Sequence, residues 1–182
     1  KVVGRVMNEE EAKEEESKGN HVKAVEGGFR RIVASPHPVA IVEIDAIKAL
    51  MDADQIVIAC GGGGIPVMEQ GYNLRGASAI IEKDLATSLL AKEIDADVMM
   101  ILTSVDNVTL NFGTDKEEPI HHMTIDEAKA YMDQGQFEFA SMLPKVSASV
   151  NFLEAGKGRK AIITSLDKAE ESLTGEAGTT IE

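Results

Sequence analysis

Cysteine is nearly absent from this sequence: Cys60 is the only one among 182 residues, so no disulfide can form within the chain. Such a chain fits a reducing compartment such as the cytosol, and Cys60 itself is most simply interpreted as a small buried residue at a strand end. Long apolar runs are absent too, and none approaches the roughly 20 residues that a membrane-spanning helix needs. With 43% hydrophobic and 27% charged residues, the composition is typical of one globular domain with a substantial core and no membrane partner.

Basic residues are scarce relative to acidic ones, with 18 Lys and Arg against 31 Asp and Glu and a formal net charge of -13. An acidic surface repels nucleic acid, so we expect no DNA or RNA partner. A local cluster of lysines could still bind a phosphate. The four histidines lack the spacing of metal ligands, and we predict no metal site made by the protein alone.

Short apolar segments alternate with amphipathic ones along most of the chain. Strands that are apolar throughout and alternate with helices predict an α/β fold with a mainly parallel sheet, covered on both faces. In such sheets ligands bind at the carboxyl ends of the strands. The predicted strands are residues 55–60, 97–104, 160–164 and 178–181, and the predicted helices are residues 43–52, 83–96, 124–134, 144–155 and 167–173.

The first 40 residues have a different pattern. Residues 8–20 are rich in Glu and Lys and predict an exposed helix, and residues 21–34 predict strands joined by a turn at Gly27 and Gly28. We expect residues 1–40 to form a small protruding subdomain, separate from residues 41–182.

Four consecutive glycines, Gly61 to Gly64, follow the predicted strand 55–60. Glycines at such a place let backbone N–H groups approach an anion closely, although a flexible loop is the alternative. Pro66 and Val67 stand where a dinucleotide-binding fingerprint would need its third glycine, and no Gly-Lys-Ser/Thr tripeptide occurs. The run is therefore neither a Rossmann nor a P-loop signature.

Two lysines lie at predicted helix starts. Lys145 follows Pro144 in a first turn, where the helix dipole disfavours a cation unless a polyphosphate is bound there too. Lys83 precedes Asp84, which is either a helix cap or a carboxylate that holds a lysine in place. Phosphoryl transfer depends mostly on positioning and charge stabilisation, so two lysines with an aspartate suit that chemistry. A solvated role for both lysines stays open on this evidence.

Several segments together resemble carbamate kinases of the amino-acid kinase superfamily, in the order found in that family. The more specific ones are Gly61-Gly62-Gly63-Gly64-Ile65-Pro66-Val67 and Ser141-Met142-Leu143-Pro144-Lys145-Val146; supporting ones include Glu82-Lys83-Asp84-Leu85-Ala86 and Leu102-Thr103-Ser104-Val105-Asp106-Asn107-Val108. The resemblance implies a three-layer αβα sandwich whose residues 41–182 bind the nucleotide. It also implies a cytoplasmic homodimeric transferase of arginine metabolism that moves a phosphoryl group between ATP and carbamate with Mg²⁺.

The resemblance implies roles for particular residues as well. Lys1, Lys83 and Lys145 would contact phosphoryl groups, and Asp84 would orient the lysines. The other residues would line the site or border the nucleotide: Gly61, Gly62, Gly63, Gly64, Thr103, Val105, Asp106, Asn111, Met142 and Pro144.

The sequence also departs from the family's pattern. The glycine-rich Gly-Asn segment that grips carbamate in the family does not occur before Lys1, so we expect a chain whose beginning is missing. We therefore predict poor solubility or inactivity for these residues alone. Thr109 replaces a common tyrosine, Val2 a common proline and Ala140 a common glycine. The alternatives are a related kinase that phosphorylates another carboxylate, and a non-catalytic nucleotide-binding module.

Overall fold

The computed structural model describes all residues, 1–182. Eleven strands and six α-helices follow one another along the chain. They are β1 (Val2–Met7), α1 (Glu9–Ser17), β2 (His21–Val25), β3 (Gly28–Ile32), α2 (Ile44–Asp52), β4 (Val67–Gln70), β5 (Asn73–Gly76), α3 (Lys83–Glu93), β6 (Val98–Thr103), β7 (Val108–Leu110), β8 (Glu118–Ile120), β9 (His122–Met123), α4 (Ile125–Asp133), α5 (Met142–Glu154), β10 (Lys160–Ser165), α6 (Ala169–Leu173) and β11 (Thr179–Ile181).

The largest sheet has four strands in the order β6-β10-β11-β9. Strands β6 and β10 are parallel and in register, so that Ser165 pairs with Thr103 at their carboxyl ends. Strand β11 joins β10 in the antiparallel direction, and β9 then runs parallel to β11. The mixed sheet with its helices confirms the α/β class.

Helices α3 and α5 pack against each other and against strands of this sheet. Ala161 and Ile163 of β10 belong to one buried cluster with Val146 and Phe152 of α5. Ile162 lies between them and is also buried, although it is not part of that cluster. Since successive strand residues point to opposite faces, β10 is covered on both, and α6 contacts this strand as well.

Local sequence signals determine several helix ends. Helix α4 begins after Thr124, whose side chain accepts from the Glu127 amide while the Glu127 carboxylate accepts from the Thr124 amide. This reciprocal capping box satisfies amides that would otherwise lack partners, as the sequence predicts. Pro144 lies in the first turn of α5, where its missing N–H costs nothing. Helix α5 begins at Met142, two residues before the predicted start.

Strands β1, β3 and β2 form a separate antiparallel sheet, with α1 packed against it; we call these elements the N-terminal sheet. Its connection to the rest of the chain includes an isolated parallel bridge between Ala34 and Ala79. The Ile80 amide donates to the Ala34 carbonyl at 2.9 Å. The segment just before α3 is therefore held against the end of the N-terminal sheet.

The predicted strand at residues 55–60 is wrong for this structure. The segment is irregular, and the side chains of Ile56 and Ile58 are each 97% exposed. A strand requires a neighbouring strand to accept and donate its backbone hydrogen bonds, and none lies beside this segment. Its apolar sequence is typical of a buried strand, but its burial depends on a neighbour.

Burial is incomplete at other apolar positions too. Strand β6 forms an edge of its sheet, and Val98 and Leu102 are exposed on one of its faces while Met99 and Ile101 are buried on the other. Leu89 and Leu90 of α3 are only half-buried. The fully buried positions of that helix are instead small or polar: Asp84, Ala86, Ser88 and Ala91.

The predicted last helix is divided into two short elements, a 3-10 turn, Leu166–Lys168, followed by α6. None of the helices combines the length and the apolar character that crossing a membrane requires.

Candidate active site

A shared carboxylate joins the two predicted helix-start lysines. Lys145 Nζ lies 3.1 Å from Asp84 Oδ2 and 3.3 Å from Oδ1, and Lys83 Nζ lies 3.4 Å from the same Oδ2. The side chains of Lys145 and Asp84 are only 9% and 6% exposed, whereas that of Lys83 is 58% exposed. The two ammonium groups therefore converge on one carboxylate, with one of them facing solvent.

Lys1 reaches the same place from the N-terminal sheet. Its Nζ pairs with Glu82 Oε2, and the other oxygen of that carboxylate lies 3.6 Å from Lys83 Nζ. Three ammonium groups and two carboxylates thus alternate in space as Lys1, Glu82, Lys83, Asp84 and Lys145. The series has a net charge of +1 in a chain whose net charge is -13.

Two members of the series have shifted pKa values. Burial raises the pKa of Glu82, but the hydrogen bond from Lys1 and the charges of Lys1 and Lys83 outweigh it and hold the pKa below its usual value. Burial lowers the pKa of Lys83, but the charge and hydrogen bond of Asp84, with Glu82, outweigh it and raise the pKa. Both groups are therefore held in their charged forms.

The glycine run packs against the start of α3. Gly61–Gly63 forms a single 3-10 turn, in which the Gly63 amide donates to the Cys60 carbonyl at 2.9 Å and the Gly64 amide to the Gly61 carbonyl at 3.1 Å. These two amides are paired within the loop. A side chain on Gly63, whose φ is +107°, would collide with the Ile81 carbonyl oxygen, one residue before Glu82. The glycine at 63 thus permits close contact between this turn and the backbone that precedes Lys83.

A cavity of about 290 Å³ opens beside Lys145, at the carboxyl end of β6. Its lining includes Thr103, Val105 and Met142, all predicted to border a nucleotide. Lys145 belongs both to this cavity wall and to the charged series. Lys145 therefore connects the cavity wall to the charged series.

Besides the glycine run, three other residues predicted to line the site or border the nucleotide do not line that cavity. Asn111 lies beside it, since its backbone amide donates to the side chain of Gln136, a wall residue, at 3.0 Å. Asp106 precedes the wall residue Asn107, and Pro144 lies next to Lys145 in α5 without reaching the cavity. A second cavity, of about 360 Å³, is formed around Gly156 to Arg159 before β10 and contains none of the predicted residues.

Some site residues were missed by reasoning from the sequence. Glu82 adjoins the predicted pair Lys83 and Asp84 in the sequence, and this adjacency is a signal that could have been used. Phe112, Gln136, Phe137 and Glu138 form much of the cavity wall, yet they come from loops with no distinctive pattern.

The arrangement suits the binding of a polyanion. A ligand phosphate could accept hydrogen bonds from ammonium groups already held close together by carboxylates, so little ordering would be needed on binding. Because Lys145 is buried and paired, its charge is kept at a fixed position, as electrostatic stabilisation of a transition state requires.

Known proteins resemble this chain over its whole length. The model of the Amino acid kinase family matches residues 5–165. The carbamate kinase-like protein YqeA of Escherichia coli is 46% identical over 182 residues, and the carbamate kinase of Clostridium perfringens is 47% identical over 183 residues. The structure of the carbamate kinase from Giardia lamblia bound to AMP-PNP superimposes with a TM-score of 0.93 at 41% identity.

The matches cover all of this chain but only part of each relative: 59% of the E. coli protein, 58% of the C. perfringens enzyme and 58% of the Giardia chain. The family model itself covers most of the residues described above, including every member of the charged series except Lys1. The chain belongs to the Amino acid kinase family.

Proposed function

We propose that this chain forms the nucleotide-binding portion of a carbamate kinase, which transfers a phosphoryl group reversibly between ATP and carbamate. The observation that carries the proposal is the Asp84 carboxylate shared by Lys83 and by Lys145, which also lines the cavity. Identities of 41–47% to proteins named carbamate kinase support the same assignment.

In the direction that makes ATP, a terminal oxygen of ADP attacks the phosphorus of carbamoyl phosphate. The bond between that phosphorus and the carbamate oxygen breaks, and carbamate leaves and decomposes to CO₂ and ammonia. Charge accumulates on the phosphoryl oxygens and on the attacking and leaving groups. The ammonium groups of Lys83 and Lys145 balance this charge, and Asp84 keeps both of them oriented.

The nucleotide is proposed to occupy the 290 Å³ cavity, with its base between Val105 and Met142 and its phosphates towards Lys145. The Giardia relative bound to AMP-PNP supports a nucleotide ligand in this fold. Gly61 to Gly64 would form the wall on the other side of Lys83. Thr109 lines the cavity where relatives commonly carry a tyrosine, so the contact with the base differs there.

The remaining parts of the proposal rest on the family resemblance. Residues 1–40 would be the protruding subdomain, Lys1 would reach the transferred group, and the protein would be a cytoplasmic homodimer. Mg²⁺ would accompany the nucleotide. No three acidic, histidine or cysteine side chains gather as a metal cage, and none is required, because Mg²⁺ is commonly held by substrate phosphates with one or two carboxylates.

The deciding experiment is a coupled assay of the whole protein for ATP formation from carbamoyl phosphate and ADP. Turnover that depends on both substrates is the expected result. Turnover only with another acyl phosphate would favour a related carboxylate kinase instead. Nucleotide binding without any turnover would favour a non-catalytic module.

A further inference from the structure

Glu82 occupies the N-cap position of α3 but does not cap the helix. Its backbone is extended, and its side chain makes no hydrogen bond to the amides of the first turn. The carboxylate instead pairs with Lys1 and lies 3.6 Å from Lys83 Nζ. Only 14% of this side chain is exposed. A largely buried carboxylate that contacts two lysines instead of the first-turn amides indicates a role in placing those lysines.

The pair between Lys1 and Glu82 is the only ion pair that joins the N-terminal sheet to the rest of the chain. Attachment of that sheet does not depend on it, because the Ala34–Ala79 bridge and the bond from the Ile80 amide already hold the backbones together. The Lys1 side chain is 38% exposed, and ion pairs of this kind contribute little to stability. What the pair does determine is where the Lys1 ammonium group lies.

We propose that Glu82 is a positioning residue for phosphoryl transfer, whose carboxylate holds the Lys1 ammonium group beside those of Lys83 and Lys145. The inference rests on the proposed function and deepens it. Asp84 then orients the ammonium groups of Lys83 and Lys145, and Glu82 orients the ammonium group of Lys1. A phosphoryl group in transfer then meets three cations instead of two.

The first test compares steady-state kinetics of the whole protein with those of its Glu82→Gln, Lys1→Met and doubly substituted forms. A misplaced charge-stabilising group lowers turnover by about 10- to 100-fold, and we expect this fall in kcat for Glu82→Gln with little change in the KM for ADP. In the Lys1→Met background the same substitution should have almost no further effect, because Glu82 acts through Lys1. Glu82→Asp, which keeps the charge, should recover part of the loss.

Glu154→Gln provides the control, since it removes a surface carboxylate that is paired with Lys129 and does not line the 290 Å³ cavity. It should leave kcat unchanged. Normal turnover by Glu82→Gln would overturn the inference, and so would an equal fall with and without Lys1. If Glu82→Gln does not fold, Glu82→Asp takes its place: its smaller fall in kcat should likewise disappear in the Lys1→Met background, and a fall that persists there would overturn the inference.

The second test does not depend on catalysis and so separates this inference from the proposed function. The acetylation rate of Lys1 Nζ is measured by mass spectrometry in the wild-type protein and in Glu82→Gln. Loss of the pair should raise the rate several-fold, while the rate at Lys157, which has no ion pair, stays constant. If the wild-type protein proves inactive, the proposed function fails but this positioning is still measured; an unchanged rate at Lys1 shows that Glu82 does not hold it.

Discussion

The Lys145 ammonium group lies 3.1 Å from Asp84 Oδ2, and both side chains are almost completely buried. Removal of the aspartate would leave a cation without a partner in the interior. We therefore expect Asp84→Ala to lower the free energy of unfolding by about 3–5 kcal/mol, measured by denaturant titration. Combining it with Lys145→Met should restore much of the loss. Glu154→Ala, which breaks an exposed pair, should cost about 1 kcal/mol or less; equal losses for the two carboxylates would contradict the buried pair.

The lysines themselves should be required for turnover. Lys83→Ala and Lys145→Ala each remove a positive charge from the place where phosphoryl charge develops, so kcat should fall by about 100-fold or more. The measurement is ATP formation by the whole protein. Lys157→Ala is a matched control, because that lysine lies in the loop before β10, next to the cavity that holds no predicted residue. Near-normal rates in both site variants would show that the roles are wrongly assigned.

The glycine run offers a matched pair of substitutions. A methyl group on Gly63 would collide with the Ile81 carbonyl and would also force a side chain into a φ of +107°, so Gly63→Ala should cost about 1–3 kcal/mol of stability. Gly61 has an ordinary φ and open space around it, and Gly61→Ala should change stability by less than 1 kcal/mol, roughly the range of a neutral surface change. The measurement is thermal unfolding of both variants. A smaller loss of stability for Gly63→Ala than for Gly61→Ala would falsify the packing described here.

The charged series should also give a pH dependence. The pKa of Glu82 lies below its usual value in the folded protein, so its contribution to stability is present above the ordinary glutamate pKa and is lost as the pH falls through the folded pKa. The difference in Tm between wild type and Glu82→Gln should therefore be positive near pH 7 and shrink below about pH 4. A difference that grows as the pH falls would have the wrong sign. Other carboxyls with lowered pKa values, such as Glu127, are common to both proteins and cancel in the difference.

The exposed segment at residues 55–60 predicts association of the 182-residue polypeptide. Ile56 and Ile58 are each 97% exposed and only two residues apart, so this segment presents two large apolar side chains to solvent. We expect concentration-dependent light scattering, and we expect Ile56→Lys with Ile58→Lys to reduce it without loss of stability. Val42→Lys, at an exposed position outside this segment, serves as the control. A monodisperse preparation without these substitutions would contradict the prediction.

Sequence reasoning succeeded where the decisive interactions are local. The capping box of Thr124 and Glu127 spans three residues, and it located the start of α4 correctly. The convergence of Lys83 and Lys145 could be predicted although 61 residues separate Asp84 from Lys145, because parallel strands and their helices bring such ends to one edge.

Reasoning failed where the outcome depends on a distant neighbour. Residues 55–60 have the composition of a buried strand, but a strand exists only where another pairs with it, and that information is not in the segment. Lys1 and Glu82 are 81 positions apart. Lys1 precedes β1 and Glu82 precedes α3, so no spacing rule connects them. The cavity wall near Gln136 comes from an irregular loop whose path is determined by packing rather than by periodicity.

The packing of α3 against α5 has a consequence for recognition. Lys83 begins α3, and Lys145 lies in the first turn of α5. The buried residues Ala86 and Ala91 of α3 are small, so at those positions no bulky side chain keeps neighbouring elements at a distance. The distance between the ammonium groups of Lys83 and Lys145 is thus determined by how α3 and α5 pack along their whole length. A single bulky residue introduced between α3 and α5 would tilt one helix relative to the other. It would thereby move the ammonium group of Lys83 or Lys145 without contacting it.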